Sequence, residues 1–296
     1  MLTLIKKIFT ALIILLSLTT ISSAQNIFII VIDGSRYTET FGAEDKYMPK
    51  FWYNLREEGT IFTNFWNEGY TSTIPGHSSI VSGVWEYPPN NGSEPPENPT
   101  IFECYRKQKN IPEEKVWVVA GADKLESIAY SSDEEYGEDY CASVETNNYT
   151  GDLDTYENLI EIIEDEKPSL VLVNLRQTDI AGHSGVWDDY VSAIRQADSL
   201  IFDLWNVVNS DSSYSDNTTF FVTNDHGRHD DEHGGFRHHG DDCVGCAHLM
   251  LFAAGPDFVK GAVSNSKTSQ LNIAPTIAEI LKFNMPHADS TSLIGK

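Results

Sequence analysis

Three short stretches of this sequence concentrate carboxylates and imidazoles at spacings that suit metal ions. In "TDIAGHSG", Asp179 and His183 are separated by three residues, so a single turn can point both at one ion. "NDHGRH" sets Asp225 beside His226. Adjacent side chains diverge on a regular strand, but in an irregular loop they can share an ion or serve a pair of ions. "HGGFRHHGDDC" supplies His233, His238 and His239, and "VIDGSR" supplies Asp33. Imidazole and carboxylate without thiolate suit zinc first, and manganese or another divalent ion second. One histidine alone is more often solvated or packed than metal-bound. The set, rather than any member, argues for ions.

A further stretch, "GYTSTIPGHSS" (69–79), gathers the hydroxyls of Thr71, Ser72, Thr73 and Ser78 around an Ile-Pro-Gly-His step. It reads either as a surface loop entering a helix or as a nucleophile at a helix N-terminus. Proline suits the first turn of a helix, and the free N–H groups there favour an arriving anion.

The elements that must position these residues are short apolar runs ending abruptly in polar residues: 26–36, 115–124, 169–179, 218–227 and 248–256. Such runs read as strands buried on both faces. Helical patterns lie between them at 48–59, 157–167, 188–209 and 269–283. The alternation predicts an α/β fold, a mostly parallel central sheet with helices on both faces and no large cap domain. Ligands gather outside the carboxyl ends of such strands. Asp33, the Asp179/His183 pair and the Asp225/His226 pair each follow one of those ends. The prolines and asparagines of 86–99 and the acidic run 131–140 read as loops.

The chain opens "MLTLIKKIFTALIILLSLTTISSAQN", a basic pair, an apolar run and small residues. This is the pattern of a secretory signal peptide, with cleavage expected after Ala24 and export to the periplasm or the medium. Residues 25–296 then form a single catalytic domain. No later stretch approaches the roughly 18 apolar residues of a membrane span. The whole chain carries 44 acidic against 20 basic residues, a formal net charge of −24. Removing the leader, which holds Lys6 and Lys7 and no acid, makes it −26. Such a surface repels nucleic acid backbones and anionic lipid. It still admits an anionic small molecule, because bound cations reverse the local sign.

The four cysteines, in an exported chain, predict disulfides, Cys243 with Cys246 and Cys104 with Cys141. The alternative for "DCVGC", half of a structural zinc site, lacks a second Cys-x-x-Cys.

Taken in order, "VIDGSR", "TSTIPGHSS", "QTDIAGHSG", "TNDHGRH", "RHHGDD" and "NIAPTIAEIL" resemble the alkaline phosphatase superfamily over nearly the whole mature chain. The similarity is greatest to the type I phosphodiesterase/nucleotide pyrophosphatase branch and its threonine-nucleophile relatives. The resemblance implies two metal ions, usually zinc, acting on a small phosphate ester. Asp179, His183 and His239 resemble the ligands of the first ion. Asp33, Asp225 and His226, with the Thr73 hydroxyl, resemble those of the second. Thr73 takes the place of the nucleophile, activated by the cation it touches, and His77 reads as a supporting residue. For substrate contacts the resemblance points to Lys124, in "AGADKL", and to Asn91, in "PPNNGS". A sulfatase of the same fold would carry Cys or Ser, then x-Pro-x-Arg, where this chain has Thr73-Ile74-Pro75-Gly76-His77. An inactive, metal-stabilised glycan-binding protein is the remaining alternative, and every expected ligand is in place against it.

Overall fold

The computed structural model describes residues 24–296, so the expected signal peptide, save its last residue, lies outside the described residues. The five apolar runs form β1 (Asn26–Ile32), β3 (Val116–Ala120), β5 (Leu170–Leu175), β6 (Thr218–Thr223) and β7 (His248–Ala254). Four further strands complete one sheet: β2 (Thr60–Trp66), β4 (Ser143–Thr146), β8 (Ala262–Ser264) and β9 (Thr268–Ser269). The order is β4-β3-β5-β1-β6-β7-β2-β8, with β9 also paired to β2. Only β7 runs antiparallel, against both β6 and β2.

Alternation along β1 feeds two cores. Ile27, Ile29 and Val31 pack on one face of the sheet, and Phe28, Ile30 and Ile32 on the other. Helices α1 (Thr73–Ser82), α2 (Ile101–Lys109) and α7 (Ile273–Leu281) cover the first face. Helices α3 (Asp152–Glu166) and α5 (Trp187–Ser210) cover the second. A one-turn helix, α6 (Val244–Ala247), leads into β7, and α4 (Gln177–Ser184) follows β5 directly. Among the described residues no helix is long and apolar enough to cross a membrane.

Local contacts set the form of two of the expected helices. The helix expected over 48–59 is present at 49–58, wide at Phe51–Leu55 and tight at Arg56–Glu58. The Asp198 carboxylate, from α5, accepts from the Lys50 and Phe51 amides at 2.9 and 2.7 Å and fixes this segment from outside. The helix expected from 269 opens as a tight turn at Gln270–Asn272, capped by the Ser269/Asn272 box, and continues as α7 from Ile273.

The expected disulfides are not formed; all four cysteines are free thiols. Cys104 is buried with the Tyr136 hydroxyl hydrogen-bonded to it. Cys141 lies instead against Arg106 and Glu113. The two side chains therefore belong to different surroundings. Cys243 and Cys246 do meet, as hydrogen-bonded thiols. Ala24, the expected last residue of the leader, is buried, and its amide donates to Asp257 Oδ2 at 3.0 Å.

Candidate metal centre

The carboxyl ends of the three adjacent strands β5, β1 and β6 deliver the candidate ligands to one edge of the sheet. Asp33 follows β1, and Asp225 and His226 follow β6; all three are almost fully buried. Gly34 takes a positive φ of 64° right after Asp33, and its amide donates to Asp225 Oδ1 at 3.1 Å. That left-handed turn favours glycine, and a Cβ here would also stand 2.7 Å from Asp179 Oδ1. The Gly34 amide and the Asp225 carboxylate thus tie the ends of β1 and β6 together.

His226 settles its own tautomer. Its Nδ1 meets the Gly227 carbonyl at 2.8 Å, a contact that requires N–H, so Nε2 presents a lone pair. That lone pair faces Asp33 Oδ1 at 3.5 Å and Asp225 Oδ2 at 3.4 Å. Asp33 Oδ1 and His226 Nε2 are buried without a hydrogen-bond partner, and buried Asp225 Oδ2 has only the His77 ring, at 3.3 Å. Buried lone pairs facing one another are costly unless a cation lies among them, so these three residues fit a divalent ion.

His239 repeats the arrangement. Its Nδ1 meets the Thr71 carbonyl at 3.0 Å, leaving Nε2 toward His183 Nε2 at 3.1 Å and Asp179 Oδ1 at 3.6 Å. Asp179 and His183 share one face of α4, with His183 Nε2 at 3.5 Å from Asp179 Oδ2. Donor atoms of Asp179, His226 and His239 lie within 4.8 Å of one another, as do those of Asp33, Asp225 and His226. His226 belongs to both groups. Imidazole and carboxylate donors again fit a divalent ion of the zinc kind.

The electrostatics follow from this crowding. Burial, then the charges of Asp225 and Asp179, raise the Asp33 carboxyl well above its ordinary value. Burial, with His226 next to it, drives His239 down to about 3, and burial also lowers His183. Asp179 and Asp225 are buried as well, yet the surroundings outweigh that burial and hold both below the usual carboxylate range: the nearby imidazoles and the Arg228 guanidinium at Asp179, and the His226 and His77 rings and the Gly34 amide at Asp225.

Thr73 opens α1 and is buried. One turn on, His77 Nδ1 lies 2.8 Å from the Thr73 carbonyl and 3.3 Å from Asp225 Oδ2, while its Nε2 meets Asn174 Oδ1 at 3.2 Å. Gly76 lets the helix come this close, since a Cβ there would sit 2.5 Å from the Asp225 carbonyl oxygen. Lys124 is half-buried, and its charge counts among those pulling the Asp33 carboxyl down. Asn91 stands apart in an exposed turn, accepting from the Ser93 amide at 3.0 Å. Its neighbour Asn90 reaches the site's helix, accepting from the Ile74 amide at 2.9 Å. His238 is exposed beside His229, and His233 pairs with Asp230 at 2.6 Å, both outside the centre.

Three supporting residues were not singled out from sequence. Arg228, fully buried, pairs through Nη1 with Asp179 Oδ1 and donates from Nη2 to the Arg237 carbonyl at 3.0 Å. Asn174 donates to Asp33 Oδ2 at 3.1 Å. It is the one polar residue in the apolar run "LVLVNL", a visible signal. Asn90 carried no signal beyond its turn.

Residues 104–285 match the metalloenzyme superfamily. No curated protein matches the chain. Among solved structures, the fold is similar to a phosphonate monoester hydrolase of Agrobacterium radiobacter, with a TM-score of 0.63 and 13% identity over 91% of this chain and 76% of that one. It is also similar to murine ectonucleotide pyrophosphatase/phosphodiesterase 5, with a TM-score of 0.67 and 13% identity over 90% and 98% of the two chains. A third is a protein solved with its substrate D-glucosamine-2-N,6-O-disulfate, with a TM-score of 0.64 and 13% identity over 92% and 80%. A family match over more than half the sequence, on a sheet whose edge gathers these donors, makes the chain a member of the metalloenzyme superfamily with the alkaline phosphatase fold.

Proposed function

We propose that this protein is an exported hydrolase of phosphoric esters that uses Thr73 as nucleophile and two divalent ions, zinc first. The observation that carries the reading is His226, whose bare Nε2 belongs to both donor groups. Bound there, the ions would supply Lewis acidity and lower the pKa of a coordinated hydroxyl. Asp33, Asp225 and His226 would hold one, beside the Thr73 hydroxyl, and Asp179, His183 and His239 the other. The start of α1, whose Ile74 amide already donates to Asn90, would set the positive end of the helix dipole beside an incoming phosphate. The Thr73 oxygen attacks phosphorus, the bond to the departing alcohol breaks, and a phosphothreonine forms. Water then cleaves that ester and restores the hydroxyl. Lys124 supplies a positive charge on the substrate side.

The relatives support this reading by their printed activities. One hydrolyses phosphonate monoesters, and the murine phosphodiesterase has also been solved as an inactive threonine-to-alanine form with AMP. The neighbour with a sulfated substrate belongs to a chemistry for which Thr73 is the wrong residue. The test is a panel of aryl phosphate monoesters, diesters, phosphonates and sulfates, assayed with zinc. Turnover of phosphorus esters with none of sulfates is expected. Turnover of sulfates alone, or of nothing, would refute it.

A further inference from the structure

The Cys-x-x-Cys turn lies against residues that sequence alone does not connect to it. Across α6, the amides of Cys246 and Ala247 both bond to the Cys243 carbonyl at 3.0 Å, so the turn is tight. The Cys246 thiol is hydrogen-bonded to the Cys243 sulfur and to the Asp241 carboxylate. Donor atoms of His229, Asp241 and Cys246 all lie within 4.8 Å of one another. His229 Nε2 is 3.1 Å from Asp241 Oδ2, yet it is a buried atom with no hydrogen-bond partner.

The backbone holds this group in place before anything binds. The Gly227 amide donates to the Cys246 carbonyl at 2.8 Å and the Arg228 amide to the Gly245 carbonyl at 3.0 Å. The His229 amide donates to the His238 carbonyl at 2.7 Å, and Arg36 Nη1 to the His229 carbonyl at 3.0 Å. Asp241 Oδ1 accepts from the Cys243 amide at 3.1 Å, leaving Oδ2 for the cluster. A second group, Asp230, His233 and Cys243, is also within 4.8 Å, but Asp230 Oδ1 already accepts from two amides and the His233 ring.

We propose that Cys243, Cys246, His229 and Asp241 hold a third divalent ion, a structural zinc distinct from the catalytic pair. Two thiolates, an imidazole and a carboxylate leave no open position, which is the pattern of a structural rather than a catalytic site. Thiolate donors also favour zinc over the harder divalent ions. The missing second Cys-x-x-Cys is replaced by His229 and Asp241, brought in by the fold. The ion ties the 227–229 segment to the 241–246 turn. Thr71 Oγ1 donates to the Asp241 carbonyl at 2.6 Å and the Thr71 carbonyl meets His239, so the same tie steadies a candidate catalytic ligand. Bound zinc would also keep this thiol pair from forming a disulfide in an oxidising compartment.

Cobalt(II) separates this site from the catalytic one, whose donors are only nitrogen and oxygen. Full-length protein, stripped of metal and refilled with cobalt(II), should show a near-ultraviolet sulfur-to-cobalt charge-transfer band. Cys246→Ser should lose that band and one metal ion per chain, while His226→Ala should keep the band. Should Cys246→Ser fail to fold, Asp241→Asn retains both thiolates and should weaken the site's cobalt affinity by about 10- to 100-fold. Absence of the band in protein whose thiols titrate as free would overturn the proposal. So would an intact mass showing the two hydrogens lost to a Cys243–Cys246 disulfide. Because neither the band nor the mass depends on turnover, this outcome is independent of the hydrolase reading.

Discussion

The imidazoles of His226 and His239 lie stacked, with ring centroids 4.0 Å apart and planes 22° from parallel. The contact joins the donor group at the end of β6 to the one built on α4, so the two candidate ion positions share a wall. Removing His226 should therefore disturb both. His226→Ala is expected to lower activity by more than about 100-fold and to reduce metal content by at least one ion, measured by elemental analysis. His238→Ala, at an exposed position, should leave activity within about twofold. Equal losses in the two variants would reverse the assignment of His239.

On the proposed mechanism, Thr73→Ala should keep the fold and the metals while losing nearly all turnover, because the other six candidate ligands would still hold the ions. Thr73→Ser preserves the hydroxyl and frees its rotamer, so part of the activity should survive. Two in-line displacements predict net retention at a chiral phosphorus centre. Inversion would mean that water attacks directly.

Arg228 places a buried cation on Asp179, where removing one partner strands the other. Arg228→Met should cost on the order of 3–5 kcal/mol, read from chemical denaturation of the metal-free protein. Added zinc should recover part of this, since the ion would replace the lost charge beside Asp179. A variant as stable as wild type without metal would show that the pair contributes nothing to stability.

Asp152 opens α3 from a buried position, with one oxygen accepting from the Gln177 amide at 3.1 Å and the other unpartnered. Burial raises its carboxyl to about 7. A carboxyl that holds its proton more tightly when folded favours folding at low pH. That contribution is full below the unfolded value near 4 and disappears as pH rises through about 7. Asp152→Asn should flatten the stability profile across this window, by an amount on the order of a few kcal/mol. An unchanged profile in thermal melts between the two pH limits would rule the group out.

Much of this was legible in the chain. Near-continuous apolar runs revealed the central strands, and the carboxylates ending three of them marked the site edge. What escaped depended on partners distant in sequence. Strand β2 is a mixed aromatic segment that becomes a strand because β7 and β8 flank it. Segment 48–59 is helical as its spacing suggests, but periodicity does not show that its turns widen at Phe51–Leu55 and tighten at Arg56–Glu58. Asn91 and Asn90 are indistinguishable as neighbours in a turn, and only the approach of α1 selects the second. The cysteine pattern suggested bonds between thiols, because spacing shows Cys243 beside Cys246 and cannot show His229 and Asp241 beside Cys246.

The sequence distance between the partners sets an order of events. Gly34 meets Asp225 across 191 residues, and β1 lies between β5 and β6, which both come much later in the chain. Such non-local pairing is slow to form, because loop closure comes before any contact rewards it. No fragment ending before β6 contains the Asp225/His226 half of the centre. Metal capture is therefore a late step, available only to a chain whose central strands have already found one another. If the chain is exported unfolded, as proposed, its ions would be acquired from the compartment of arrival rather than that of synthesis.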